Sequence, residues 1–367
     1  MYKITKNENN LKTKKELTKY DLPIKLSELR KKILFELSIN PRFSYSRISK
    51  ILNVSPEVIS YNIEKLKEQK ILAGSIAIID PKSLNLQSYE LYLRLKNYDN
   101  EQLKKFIDYF VTHKNIRWVA IGSGHYDLML SVVCKDFEEF NNALNEIKLK
   151  LANHLSKYLI LPLLDEDFLY SFFFIENLDL YKIYKKLNEP EKRSDDSFQK
   201  WFNKAKNKKC IKIELDELDK KILSALENNT TASLTNLSKK HDVSVNTIKK
   251  RITDLINKKV IKKFFPIISY NLLGYQWHLT MLNLELNDEN EKKFLHFIST
   301  HPCIVYYSKT IGQYNYIISI IVKNAVHYNN ILLELRNHFH KYLNDYEDIL
   351  VFTQYKYSYL SNFCQKL

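Results

Sequence analysis

The feature that most constrains this chain is that it repeats itself. Ile33 and Ile222 lie 189 residues apart, and so do Leu37 and Leu226, Ser55 and Ser244, Ile59 and Ile248, Ile63 and Ile252, and Leu66 and Leu255. Further along, Thr112-His113 returns as Thr300-His301, Ile116 as Ile304 and Gly124 as Gly312, at a shift of 188. A registration held this closely over such a distance means two copies of one structural unit. The chain must therefore build the same unit twice within 367 residues, a length that calls for more than one domain.

Each copy opens with helical periodicity. In the first, Leu29, Ile33, Leu34 and Leu37 share one face, Ile48, Ile51 and Leu52 a second, and Val58, Ile59, Ile63 and Leu66 a third. A turn at Asn53-Val54 and the pair Ser55-Pro56 precede the third face, with serine as cap and proline at the first helical position. This is helix-turn-helix spacing. Residues 71–76 read as a wing or exit strand. The texture then changes to a strand at 89–95, a helix at 101–111, strands at 116–121 and 127–134 around Gly122-Ser123-Gly124-His125, a helix at 137–154 and a strand at 158–164. The order β-α-β-β-α-β predicts a ferredoxin-like domain with an antiparallel sheet, and residues 168–175 read as an extra strand.

The predicted fold class is α+β, with two copies of a winged helix-turn-helix followed by a βαββαβ domain. The expected boundaries are a basic, unstructured arm at 1–25, helix-turn-helix 1 at 26–79, βαββαβ domain 1 at 80–176, a basic linker at 177–212, helix-turn-helix 2 at 213–265 and βαββαβ domain 2 at 266–362. There are only five glycines. Gly274 stands where the first copy has Asn85, and both residue types tolerate positive φ, so both mark the same turn.

Lys and Arg total 57 against 42 Asp and Glu, a net charge of +15. Such a balance suits nucleic acid or an anionic membrane surface. The N-terminus lacks the apolar core of a signal peptide, and the most apolar stretch, 158–175, is broken by Asp165, Glu166 and Asp167. A soluble, cytoplasmic protein with no membrane partner is expected. Cys134, Cys210, Cys303 and Cys364 stand far apart, which excludes a disulfide scaffold or a cysteine zinc site. Catalytic signals are absent: Gly122-x-Gly124 lacks a third glycine, and neither His-Glu-x-x-His nor Gly-x-Ser-x-Gly occurs. His338 and His340 point to different helix faces and make a poor metal pair. His113 and His301 read as terminators of the first sandwich helix of each copy, where a cation suits the negative helix end. No enzyme, metal site or cofactor is expected.

Residues 244–255 hold the best candidate for a reading helix. Ser244 or Asn246 can cap it, Ile248, Ile252 and Leu255 form its apolar back, and Asn246, Lys249, Lys250 and Arg251 its front. Lys and Arg neutralise phosphates, and Asn or Arg can bond bidentately to base edges. The first copy keeps the apolar residues but has Ser60-Tyr61-Asn62 opposite Lys249-Lys250-Arg251. The cations are thus not needed to build the fold and are the best candidates for contact with double-stranded DNA. The candidate contacts are Ser244, Asn246, Thr247, Lys249, Lys250 and Arg251 in head two, and Ser55, Glu57, Ser60, Tyr61, Lys65, Arg42 and Arg47 in head one. Head two is expected to dominate affinity.

The domain order, with Asp80-Pro81-Lys82-Ser83-Leu84, the hairpin Gly124-His125-Tyr126-Asp127, the opening helix around Leu215-Asp216-Glu217-Leu218-Asp219 and the second hairpin Gly312-Gln313-Tyr314-Asn315, resembles the Lrp/AsnC family of transcription regulators. The resemblance implies sheets that pair, here within one polypeptide as an intramolecular pseudo-dimer, and homo-oligomers formed through the βαββαβ domains. It also implies a small effector such as an amino acid at Gly124, Tyr126, Asp127, Gly312, Tyr314 and Asn315. The simpler reading of those positions is glycine for the turn, tyrosine packed, and Asp or Asn bonded to backbone. The family usually carries Arg where the first copy has Asn62. Siroheme decarboxylases resemble the same unit, and Tyr314-Asn315-Tyr316 is loosely similar to theirs. That alternative implies a tetrapyrrole enzyme.

Overall fold

Serine and proline set the first turns. In the computed structural model, which describes residues 23–169, 172–174, 214–228, 230 and 232–358, Ser27, Ser44 and Ser55 each accept a backbone N–H and start α1 (Glu28–Ile39), α2 (Tyr45–Leu52) and α3 (Pro56–Glu68). Their apolar faces meet in one core containing Ile33, Leu37, Ile48, Ile59, Ile63 and Leu66. The second copy repeats this with α6 (Glu217–Asn228), α7 (Leu234–His241) and α8 (Val245–Asn257), around Ile222, Leu226, Leu237, Ile248, Ile252 and Leu255. The linker expected at 177–212 and all but the last three residues of the arm expected at 1–25 lie outside the described residues.

The strands that follow each head do not form separate wings. Strand β1 (Leu72–Ile79) pairs antiparallel with β6 (Ile261–Ile268) of the other copy, with Ile76 opposite Phe265. Each strand also lays side chains on the other copy's helices. Ile76, Ile78 and Ile79 join the core of head two, and Ile268, Tyr270 and Leu273 join that of head one. The ribbon therefore buries the apolar face of both heads at once.

After a 3-10 turn the first sheet is built from β2 (Gln87–Leu95), β3 (Ile116–Gly124), β4 (Leu128–Cys134) and β5 (Leu155–Phe168), with α4 (Asn100–Thr112) and α5 (Phe137–Leu151) on its outer face. The second sheet repeats this as β7 (Gln276–Leu284), β8 (Ile304–Thr310), β9 (Tyr316–Val322) and β10 (Leu343–Tyr357), with α9 (Asp288–Thr300) and α10 (Ala325–Phe339). Edge pairing joins them. β5 bonds to β8 and β10 to β3, which closes an eight-stranded barrel in the order β10-β3-β4-β2-β5-β8-β9-β7. Closure leaves the barrel itself without a free edge. Inward side chains, among them Tyr92, Trp118, Met129, Leu279, Met281 and Ile349, fill much of the lumen. The pairing of sheets within one chain is the expected pseudo-dimer.

Asn85 (φ 58°) and Gly274 (φ 77°) occupy the same left-handed turn position in the two copies, as the sequence predicts. Two expectations need correction. In the described part of the extra strand expected at 168–175, β5 ends at Phe168 and Phe172–Phe174 is a 3-10 turn, with Phe173 and Phe174 packed under head one; residues 170, 171 and 175 lie outside the described residues. His113 and His301 do follow the last helical residue, but burial lowers the pKa of both against the pull of Glu146 and Glu334. Each is a neutral imidazole at neutral pH, holding a backbone N–H through Nδ1, and not a cation at a helix dipole.

Candidate nucleic-acid interface

Helix α8 sits on its head as an amphipathic third helix should. Ser244 Oγ accepts from Thr247 N at 3.0 Å, so Ser244 and not Asn246 is the cap. Ile248, Ile252 and Leu255 are buried. Asn246, Lys249 and Lys250 are exposed on the far side, with Thr247 half-buried. A short helix with its apolar back in the core turns two lysines and an asparagine outward, side chains that can donate to phosphates and base edges.

Arg251 behaves differently from its two neighbours. Its Nη1 lies 2.6 Å from Asp216 Oδ2 and 3.3 Å from Asp219 Oδ1, both at the start of the first helix of head two. The hydrogen bond it donates to Asp216 is the main reason its pKa is raised. The expectation that the whole triplet is dispensable to the fold is thus wrong for Arg251, which ties α8 to α6. Head one makes the same tie with the chemistry reversed: Arg30 Nε donates to Asn62 Oδ1 at 3.0 Å. Arg30 corresponds to Asp219, and Asn62 to Arg251, at the repeat shift of 189. The cation has moved from the third helix to the first.

The front of α3 contrasts with that of α8. Asn246, Lys249, Lys250 and Thr253 of head two correspond to Glu57, Ser60, Tyr61 and Glu64 of head one. Glu57 and Glu64 are exposed, Ser60 is half-buried, and Tyr61 is 60% exposed. Ser55 caps the helix through Val58 N. Lys65 is bonded to Glu68, with its ammonium over the Tyr61 ring. Arg47 is exposed on α2 and stacks on Phe43. Arg42, expected at the DNA backbone, instead donates to the Thr230 carbonyl of the other head and lies over the Phe264 ring. It joins the heads. Glu64 did not figure among the sequence candidates, although the repeat itself aligns it with an exposed residue of the reading face.

The hairpin positions are taken up by the barrel. Asp127 accepts from Leu95 N and from Arg94, and Asn315 both accepts from Leu284 N and donates to Leu284 O. Tyr126 and Tyr314 are buried in the lumen core. Gly124 and Gly312 have φ of 139° and 132°, and a Cβ at Gly124 would stand 2.5 Å from the Asp348 carbonyl oxygen. Tyr314 donates to Glu347, so Asp127, Asn315 and Tyr314 all have polar partners inside the protein.

The sequence profile of the AsnC-type helix-turn-helix domain matches residues 215–256, and that of a winged helix-turn-helix DNA-binding domain matches residues 26–72. The HTH-type transcriptional regulator FL11 of Pyrococcus horikoshii is 34% identical over 122 residues, one third of this chain and 80% of that protein. The chain belongs to the Lrp/AsnC family. The transcriptional regulator AzlB of Bacillus subtilis is 33% identical over 124 residues, 33% of this chain and 79% of that protein. These relatives are therefore about one copy long, and this member carries the unit twice. At the level of fold, the siroheme decarboxylase NirDL covers 92% of this chain with 94% of its own, at a TM-score of 0.56 and 12% identity. Among the described residues no group of three or more His, Cys, Asp or Glu is placed to hold a metal ion, and no helix is long and apolar enough to cross a membrane.

Proposed function

We propose that this protein is a DNA-binding transcription regulator in which one polypeptide supplies both halves of a family dimer, with two heads that do different work. The observation that carries this reading is the exposed Asn246, Lys249 and Lys250 face of α8 on an intact helix-turn-helix. Two lysines there neutralise phosphates, and the asparagine is free to address a base edge. Head one offers Glu57 and Glu64 at the matching positions, and carboxylates repel the backbone. It engages DNA through Arg47 and its neighbours on α2, or reads an unlike half-site. Arg251 contributes by orienting α8. The ribbon fixes the two heads relative to each other, which favours a target of fixed half-site spacing.

The test is footprinting of genomic fragments followed by titration of the recovered site at several salt concentrations. Affinity that falls steeply with salt, and that drops in the Lys249→Ala, Lys250→Ala double variant, supports the reading. Affinity independent of salt and of these lysines sinks it. Control by an amino acid at the hairpins is tested by calorimetry across the amino acids, where silence ends that part of the proposal. The decarboxylase likeness concerns the fold. A tetrapyrrole-dependent absorption band on the pure protein, with no retention on heparin at low salt, would favour it over the regulator.

A further inference from the structure

The barrel lumen is not uniformly apolar. Tyr126 and Tyr314, beside the two hairpins, belong to the apolar core that fills part of it. At the end beneath the β1–β6 ribbon lies a cavity of about 320 Å³, to which all eight barrel strands contribute wall. An eight-stranded barrel is wide enough inside for one small ligand, and this volume falls within the range of about 300–1,000 Å³ typical of ligand pockets. Phe265 and Tyr270, from the ribbon strand and the turn after it, are among the residues that roof the cavity.

One wall is charged. Arg117 grips Glu166 through two bonds, Nη1 to Oε1 at 2.7 Å and Nη2 to Oε2 at 3.0 Å, and its Nε donates to Ser131 at 2.7 Å. Tyr306 also donates to Glu166, at 2.9 Å. Glu90 completes the group, but its contacts to Ser131 (2.7 Å) and Arg117 (3.4 Å) both use Oε1. Glu90, Arg117 and Glu166 are each at least nine-tenths buried. Two carboxylates thus share one guanidinium. Glu166 is the better compensated: burial pushes its pKa up, but Arg117, Lys262 and Tyr306 outweigh this and hold it below the usual range. For Glu90 burial wins and the pKa is raised. Ser308, opposite Glu166 in the β5–β8 register, and Trp277 also line the cavity. Among the described residues the Ser308 hydroxyl and the Trp277 indole nitrogen have no hydrogen-bond partner.

The fold does not need these charges. The strand registers place Leu279, Val305 and Gln354 of the second copy where the first has Glu90, Arg117 and Glu166. Both copies keep the irregularity that inserts Arg117 or Val305 between paired residues. The second copy thus has no ion at these three positions, although its Lys356, bonded to the His113 carbonyl, lines the same cavity at the place of Phe168. Burying an ionic cluster costs desolvation that apolar residues avoid, so its presence in one copy alone points to a ligand and not to stability.

We propose that this end of the lumen binds a small organic ammonium with an apolar or aromatic body, the ammonium pairing with Glu90 and the body lying against Trp118, Trp277 and Tyr306. Aromatic faces attract cations, and an undercompensated buried carboxylate gains most from a positive partner. Trp277 and Ser308 would receive an acceptor carried by such a ligand. Because the roof is the ribbon that holds the heads, occupancy would also change DNA affinity. This second step rests on the regulator reading above, whereas the binding site does not.

The test uses the full chain, with phenethylamine as the probe and 3-phenylpropionate as its anionic counterpart. Two of the three tryptophans, Trp118 and Trp277, line the cavity, so tryptophan emission reports occupancy without DNA. The expected result is a saturable change with the amine, at least tenfold weaker binding of the acid, and at least tenfold weaker amine binding in Glu90→Gln. The Lys249→Ala, Lys250→Ala variant should bind the amine normally, which separates failure of the site from failure of the DNA reading. Ser319→Phe, which fills the lumen from the second copy, should abolish the response if Glu90→Gln does not fold. No saturable response to millimolar amine, equal binding of the acid, or unchanged amine binding in a folded Glu90→Gln or Ser319→Phe protein would each overturn the proposal.

Discussion

The two heads share a core and differ at the surface, and the difference separates what builds a helix-turn-helix from what it does. Ile59 and Ile248 are both fully buried, at equivalent positions of α3 and α8. Around them the solvent face has changed from Glu57, Ser60, Tyr61 and Glu64 to Asn246, Lys249, Lys250 and Thr253. The tie between first and third helices survives in both, but its cation sits on α1 in one head and on α8 in the other. A basic residue on a reading helix is therefore not by itself a DNA contact. Among the described residues Lys249 and Lys250 have no carboxylate partner that would compete with phosphate, whereas Arg251 has two.

The largest effects should fall on the shared core. Ile59→Ala and Ile248→Ala should each lose about 2–5 kcal/mol, measured by urea unfolding. The ribbon joins both heads, so the two variants should unfold alike; separate transitions for the heads would break the picture of one interlocked unit. Next comes the DNA face. The Lys249→Ala, Lys250→Ala pair should weaken binding roughly 10–100-fold, about 1–3 kcal/mol. Arg47→Ala with Lys65→Ala should do less. If the second pair costs as much as the first, the ranking of the heads is wrong.

Arg251→Ala sharpens the comparison further. It leaves Asp219 buried without its cation and should destabilise head two by about 1–2 kcal/mol. Arg30→Ala should cost head one less, because Asn62 keeps its bond to the Val58 carbonyl at 2.8 Å. Equal losses in thermal unfolding would show that the reversed ties are not energetically distinct.

The smallest effect concerns pH and the two barrel halves. Lys356 in β10 stands where β5 has Phe168. Burial lowers its pKa to about 8 despite Glu227. Between pH 8 and the ordinary lysine value near 10.4 the unfolded chain holds more protons, so stability should rise with pH. The window closes near pH 10, where buried tyrosines whose pKa values are raised begin to oppose it. Buried Cys134 and Cys303, whose thiol pKa values are pushed up to about 12, oppose this rise in both proteins, so the expected outcome is a denaturation midpoint of the natural chain that gains on that of Lys356→Met from pH 8 to 9.5.

Much of the architecture was legible in the sequence. Apolar spacing located the three helices of head one and the reading helix of head two, and the repeat implied the rest of head two and the second βαββαβ order from the first. Asn85 and Gly274 marked one turn because few residues accept its φ. The candidate site was legible only in part. The spacing that exposes Lys249 and Lys250 also marked Arg251 as outward, since periodicity cannot see an aspartate on another helix. Arg42 looked like any surface arginine until the other head's Thr230 stood beside it.

By itself the sequence determined which face of each element must leave water, because burial follows a period that the chain carries locally. It also determined that everything happens twice. Tertiary structure decided what each face is buried against. Strands β1 and β6 satisfy their backbone groups on each other, and each lends its side chains to the opposite head. Likewise Glu90, Arg117 and Glu166, on three strands and up to 76 residues apart in the chain, meet only because strands β3, β4, β2 and β5 pair side by side in the first sheet. Hydrogen bonding across strand edges is indifferent to sequence distance, so no local pattern announces which edges will pair or which charges will share a lumen.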